Sequence, residues 1–284
     1  MTTQALEFDA TGLGRWTAET RCEVTGERIS QYAEATNDPI AAHLSGEMAN
    51  PVFAIVPVFQ SLLEPALEVV PLSLLGKVLH GEQDFRFHRP IGPGQTLVSK
   101  AKMTGFEGLA KGTRACVYLQ TRDEAGALVN EQYVTFFVRG FDDGRKLGEL
   151  SPEHRFPESV RATEPALDIT QHIDSDQTFR YSAASGDPMP IHLDEQAARE
   201  AGLPGIIAHG FCVLAFTSWA MLQGLAESDA ARMRRLAVRF AKPVLPGQDI
   251  RTRAWGRDDG TYVFETAVDG TVVLSDGLAE LEEG

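Results

Sequence analysis

Residues 181–221 read YSAASGDPMPIHLDEQAAREAGLPGIIAHGFCVLAFTSWAM. Asp187 and His192 stand five residues apart in a loop punctuated by Gly and Pro. Ala208-His209-Gly210 then leads directly into a long apolar run. An Asp, a His and a glycine at the head of a buried helix are the groups needed to hold a water beside a polarised carbonyl. Residues 202–224 carry no formal charge apart from His209, a length that would also span a bilayer. Pro204, Gln223 and several glycines interrupt it, and it is the only such segment in an acidic chain, so a buried helix is expected instead.

Working outward, the chain repeats itself. Arg86–Gln95 (RFHRPIGPGQ) matches Arg239–Gln248 (RFAKPVLPGQ) at an offset of 153 residues. Tyr32–Pro39 (YAEATNDP) matches Tyr181–Pro188 (YSAASGDP) at an offset of 149. A basic-aromatic string followed by the same Pro-Gly turn, seen twice, predicts two copies of one α+β unit. In the first, 19–25 alternates as a short strand and 28–36 predicts a short helix. The run from Val52 to Leu67 predicts an apolar helix with Pro57 near its first turns, and four strands follow from 78 onward. Residues 141–165 are charged and Pro-containing, a linker by composition. The second copy predicts a strand at 166–170, a helix near 175–184, the charge-free helix, and strands near 234–242, 248–256, 261–269 and 271–279. The expected units are 1–145 and 166–284, joined by 146–165. A sheet wrapped round one apolar helix explains why that helix lacks a polar face.

The repeat compares two copies of the site. Both halves carry Asp-x-x-x-x-His, as Asp38/His43 and Asp187/His192, so the pair alone does not choose between them. The head of the long helix does. With Ala208 set against Ala49, Gly210 faces Pro51, His209 faces Asn50 and Ser218 faces Phe59. A backbone N–H at a helix N-terminus is an effective donor to a developing oxyanion, and Pro51 has none to give. Gly210 has one and lets a carbonyl approach closely. Ser218, two turns on, adds a hydroxyl where Phe59 cannot. The C-terminal half is therefore the half expected to be catalytic. The plainer readings are a turn residue for Asp187, a satisfied buried histidine for His192, a structural role for His209 and a back-bonded serine for Ser218.

Composition sets the outer bounds. The 284 residues are 43% hydrophobic and 23% charged, a globular balance. A net charge of −14 argues against nucleic acid and anionic lipid as partners. Cys22, Cys116 and Cys212 are sparse and odd in number, which points to a reducing compartment and not to a disulfide framework. The N-terminus MTTQALEFDA lacks a secretory pattern, and a cytoplasmic location is expected. No C-x-x-C or His/Cys cluster suggests a structural zinc.

SGDPMPIHLD, AGLPGIIAHG and VRFAKPVLPGQ together resemble the hydratase-2 motif of MaoC-like (R)-specific enoyl-CoA hydratases and (3R)-hydroxyacyl-thioester dehydratases. The motif proper covers 181–218, and the strand after the helix extends it to 248. The layout resembles double hot dog members, with a degenerate N-terminal unit before an active C-terminal one. The resemblance implies an α+β double hot dog fold, a hydro-lyase acting on an acyl-CoA or acyl-carrier-protein thioester, and no cofactor or metal. It implies Asp187 and His192 as the acid/base dyad, Gly210 as the oxyanion donor and Ser218 as an active-site serine. Tyr181, Ser185, Met189, His209, Arg239 and Lys242 are the expected substrate-binding residues, the last two as cations for phosphate alongside Arg86 and Arg89. The plainer reading of those cations is solvated strand ends. Met189 stands where the family usually has Asn. Pairing of two chains into a homodimer is expected. A hot dog thioesterase and a non-catalytic acyl-thioester-binding subunit are the competing readings.

Overall fold

In Thr96–Leu109 the inward Leu97, Ser99, Ala101 and Met103 alternate with Val98, Lys100 and Lys102, the period of two that a sheet covered on one face requires. The structure, a computed structural model, describes residues 6–282. The N-terminal half runs β1 (Thr20–Glu23), α1 (Gly26–Ala35), α2 (Ala41–Leu44), a 3-10 helix (Pro51–Ser61) and α3 (Glu64–Val69). After a second 3-10 turn (Leu72–Lys77) come β2 (Val78–Phe87), β3 (Thr96–Leu109), β4 (Gly112–Asp123) and β5 (Leu128–Arg139), then β6 (Lys146–Gly148). The C-terminal half runs β7 (Leu167–His172), α4 (Gln177–Ser185), a 3-10 turn (Pro190–His192), α5 (Glu195–Glu200) and α6 (Gly210–Leu225). It closes with β8 (Met233–Phe240), β9 (Asp249–Gly256), β10 (Thr261–Val268) and β11 (Thr271–Leu281).

One antiparallel sheet joins the halves in the order β1-β3-β4-β5-β2-β8-β11-β10-β9-β7, with β6 added on β3. Each half contributes five strands in the same order, reversed about the β2/β8 seam. The seam pairs Glu82 with Arg239, Arg86 with Arg235 and Asp84 with Ala237. Under the offset of 153 residues the counterpart of Asp84 is Ala237, so at its midpoint the repeat pairs with its own equivalent. That is the signature of an internal two-fold axis. The second offset says the same: Tyr32 and Tyr181 are equivalent by sequence, and their hydroxyls meet at 3.3 Å where α1 packs on α4. The sequence repeat is thus an intramolecular dimer.

Every residue of α6 from Phe211 to Leu222 is buried. The helix lies against β7, β8 and β9 and against the N-terminal 3-10 helix. Large side chains in such a core contribute about 1.5–3 kcal/mol each. Thr217 is accommodated by donating to the Val213 carbonyl at 3.2 Å and bonding Thr266 Oγ1 at 2.9 Å. Among the described residues no helix is long and apolar enough to cross a membrane.

Two expectations are corrected. The helix expected over Val52–Leu67 is not one α-helix but the 3-10 run Pro51–Ser61 followed by α3. Pro57 and Pro65 each remove an N–H and crowd the preceding turn, so an α-helical ladder cannot continue through them. The segment 146–165, expected as a plain linker, is packed. Its first residues form β6 on β3, His154 donates from Nδ1 to the Asp276 carbonyl at 2.6 Å, and Phe156 meets the Trp255 ring at 5.3 Å.

Candidate active site

α4 ends at Gly186, whose φ of +78° turns the chain sharply. Asp187 follows at once, held on every side. Its carbonyl accepts from Ser182 Oγ at 2.6 Å, its N–H donates to Ser185 Oγ at 3.3 Å, and its Oδ1 accepts the Met189 N–H at 3.0 Å. The 3-10 turn Pro190–His192 closes with the His192 N–H on the Met189 carbonyl at 3.0 Å. His192 then donates from Nδ1 to the Ile207 carbonyl at 2.8 Å. That bond fixes the tautomer, leaving Nε2 a bare acceptor. Met189, half-exposed, fixes the turn through its backbone alone, so this loop does not depend on an Asn there.

α6 begins where the loop reading placed it. Ala208 N–H is tied to the Val244 carbonyl at 2.8 Å, and no side chain caps the helix at His209. The first-turn N–H groups of such a helix have no intrahelical partner, and the dipole favours negative charge before them. Gly210 is needed here for close approach: a Cβ would lie 2.9 Å from Phe240 Cδ1. Phe211, Phe240 and His80 meet at ring separations of 4.9–5.7 Å around this point. His80 comes from β2 of the N-terminal half and was not singled out by its sequence, although the β2/β8 pairing implied by the repeat could have found it. Burial holds His80 neutral, near a pKa of about 4, with Nε2 bonded to the Glu82 carbonyl at 3.1 Å.

The donor atoms of Asp187, His192 and His209 lie within 4.8 Å of one another. No hydrogen bond joins Asp187 to His192 among the described residues. Two hydrogen bonds of about 2.8 Å meeting at one water span roughly that gap. Burial raises the Asp187 carboxyl, opposed by the Met189 N–H and by His192, and lowers His192. Burial, then the neighbouring His192, lowers His209 to about 3. The same three side chains have the spacing of a metal site. The two imidazoles are stacked at 3.8 Å and 25°.

The remaining expected residues fall in three groups. Ser185 and Tyr181 are built into the site's frame: Ser185 braces Asp187, and buried Tyr181 backs His209 at 4.9 Å. Lys242 is exposed and makes no ion pair among the described residues. Ser218 and Arg239 make no hydrogen bond to Asp187, His192 or His209 among the described residues. Ser218 is fully buried with no partner for its hydroxyl among the described residues, and eight residues of helical rise set it about 12 Å along the helix from Gly210. Arg239 precedes Phe240 in β8, so strand alternation puts it on the face of the sheet away from α6. There Nε donates to Glu82 Oε1 at 2.9 Å, and Asp276 stands 3.8 Å away. Arg89 likewise pairs with Asp123 at 3.0 Å, and Arg86 lies over the Tyr133 ring.

Fold and site together define a double hot dog protein with one open Asp/His/glycine site. Residues 156–277 match the model of the MaoC like domain, and residues 12–132 match that of the FAS1-like dehydratase domain region. The chain is 33% identical over 218 residues to 3-hydroxyacyl-thioester dehydratase Y of Mycobacterium tuberculosis, covering 73% of each. It is 28% identical over 219 residues to probable enoyl-CoA hydratase 2 of Dictyostelium discoideum, covering 76% of this chain and 72% of that one. The solved structure of a MaoC-like dehydratase from Phytophthora capsici superimposes with a TM-score of 0.83 at 25% identity, over 94% of this chain and 96% of that one. The chain belongs to the MaoC-like dehydratase family.

Proposed function

We propose that the chain is a hydro-lyase that adds water reversibly to a trans-2-enoyl thioester, giving the (3R)-hydroxyacyl thioester, with Asp187, His192 and Gly210 as its catalytic groups. The observation that carries this reading is the open dyad: among the described residues Asp187 and His192 make no hydrogen bond to each other, their ligand atoms lie within 4.8 Å, and His192 Nδ1 is taken by the Ile207 carbonyl at 2.8 Å, next to the uncapped head of α6. A water there donates one proton toward His192 Nε2 and the other toward an Asp187 oxygen. In the hydration direction the water oxygen bonds Cβ while His192 takes its proton. The Cα=Cβ electrons move onto the thioester oxygen, where the Gly210 N–H and the α6 dipole hold the enolate charge. His192 then gives that proton to Cα, and the thioester carbonyl re-forms. Water is consumed, the dyad returns to its starting state, and dehydration is the reverse. No cofactor enters the balance.

Lys242, exposed and without an ion pair among the described residues, is the cation we assign to the phosphate of a CoA or carrier arm. The N-terminal half, with its apolar Pro51–Ser61 run in place of a second site, is assigned to the acyl chain. We also read the chain as a cytoplasmic homodimer. The three cysteines are free, two of them buried, which supports a reducing compartment.

The test is an assay of wild type and Asp187→Asn on a trans-2-enoyl-CoA, following loss of the conjugated thioester absorbance and release of free thiol. Hydration without thiol release is expected from wild type, and a loss of about 10²–10⁴-fold from the variant. Thiol release would establish the thioesterase reading instead. Wild type inert in both assays would leave only a binding role.

A further inference from the structure

His209 touches both members of the dyad. Its ring stacks on His192 with centroids 3.8 Å apart, and its Nε2 lies 3.4 Å from the Asp187 carbonyl and 4.0 Å from Asp187 Oδ2. Tyr181 also lies against the His209 ring, at 4.9 Å and 48°, and Tyr181 meets Tyr32 at 5.6 Å across the internal two-fold axis. A column of four rings thus runs from the axis to His192.

The N-terminal half shows what the same frame does without that ring. There the three equivalent positions are Asp38, His43 and Asn50, all buried. His43 Nδ1 is 2.7 Å from Asp38 Oδ2, and Asn50 Nδ2 donates to the same oxygen at 2.9 Å. The pair is closed on itself. In the C-terminal half His192 Nδ1 points instead to the Ile207 carbonyl at 2.8 Å. The two histidines sit in different turns, His43 in α2 and His192 in a 3-10 turn, but the residue before the long helix has the same backbone in both halves: Asn50 at φ −53°, ψ 137° and His209 at φ −61°, ψ 134°. What differs there is the side chain. A short amide sits in line with the carboxylate and leaves room for the histidine to swing onto it. An imidazole held in a ring column fills that room.

We propose that His209 is a positioning residue, an imidazole wedge that keeps Asp187 and His192 from pairing with each other so that both face one water. The proposal rests on the dyad reading above. It adds that the residue before the long helix decides whether an Asp-x-x-x-x-His pair in this fold is open or closed.

The test reads the ionisation of His192 directly, by NMR of the histidine-labelled full chain without substrate, alongside the pH profile of kcat and KM. The ionisable groups around His192 are Asp187 and His209, with Tyr181 and Tyr32 behind them. His209→Asn installs the N-terminal residue. The dyad should close, and direct contact with the Asp187 carboxylate should raise the His192 titration. The acid limb of kcat then moves up in pH, and kcat falls by about 10²-fold or more while KM changes little. His209→Phe keeps the ring, so its His192 titration should stay near wild type. An unmoved titration in His209→Asn, or a shift in His209→Phe as large as in His209→Asn, would overturn the proposal. If His209→Asn does not fold, wild type and His209→Phe still decide. A His192 titrating above the ordinary imidazole range in either would mean that the pair is closed despite the ring. Because the titration needs no substrate, it stands or falls separately from the hydratase assay.

Discussion

Replacing Gly210 by Pro removes one N–H from the head of α6 and, by backbone criteria, little else. Proline is well tolerated at the first position of a helix. It also requires an extended residue before it, which His209 already is, at φ −61° and ψ 134°. The N-terminal half carries Pro51 at the equivalent position, after Asn50 in the same conformation. The complication is steric, since any Cβ at 210 would lie 2.9 Å from Phe240 Cδ1 and 3.0 Å from Cε1. Overpacking of that kind costs about 1–3 kcal/mol in stability. Gly210→Ala carries the same clash and keeps the N–H, so it is the necessary control. The ratio of kcat between the Ala and Pro variants isolates the donor. Removal of one oxyanion donor is worth about 10²–10³-fold in kcat, or about 2.7–4 kcal/mol. The assay is enoyl-thioester hydration at saturating substrate on both variants, with thermal melting to confirm that both fold. Equal rates for Ala and Pro, each folded, would refute the assignment of the thioester oxygen to the Gly210 N–H.

Two further predictions follow from buried groups. Burial depresses His192 and His209, the latter to about 3, whereas the unfolded chain protonates both near pH 6.5. Below that point the unfolded state binds more protons, so stability falls as pH falls, by up to ~1.4 kcal/mol per pH unit for each histidine until its folded value is reached. Asp187 is shifted upward and offsets part of this near the ordinary carboxylate range. Urea denaturation from about pH 7 down to about pH 5 reads the slope, and a flat profile would contradict the buried neutral pair. Ser218→Ala removes a buried hydroxyl that bonds nothing among the described residues, so Tm should be unchanged or higher and kcat/KM within a few-fold of wild type. A large fall in kcat at unchanged Tm would return Ser218 to the reaction.

Much of the fold was legible because it is written twice. Two offsets, 149 and 153 residues, correspond to two contacts across the internal axis, Tyr32 with Tyr181 and Asp84 with Ala237. Strands were legible through alternation, and α6 through its missing charge. The Val52–Leu67 segment misled because apolar content does not distinguish an α-helix from a 3-10 run, and of the prolines that do, only Pro57 was weighed, as one near the first turns. Arg239 misled for a different reason. Its motif neighbours Phe240 and Val244 do lie by the head of α6, but alternation along β8 carries Arg239 to the other face, where Glu82 takes its charge. Ser218 was placed by helical spacing and by the family resemblance, neither of which fixes a distance to the chemistry.

The sequence by itself determined which half has an N–H to offer at the head of its long helix, because the presence of that N–H at Gly210 and its absence at Pro51 are covalent facts that no folding can change. It also determined the repeat, and through it the two-fold arrangement. Only the tertiary structure decided the state of the Asp/His pair. Both halves hold the same two residues at the same spacing, yet one pair is closed at 2.7 Å and the other is held apart. The difference comes from a carbonyl at Ile207 and a ring at His209, 15 and 17 residues beyond His192 in the chain. Sequence spacing does not encode their approach. A hydrogen bond to a backbone carbonyl and a stack between two imidazoles exist only once the loop after α5 has folded back against the turn at Pro190.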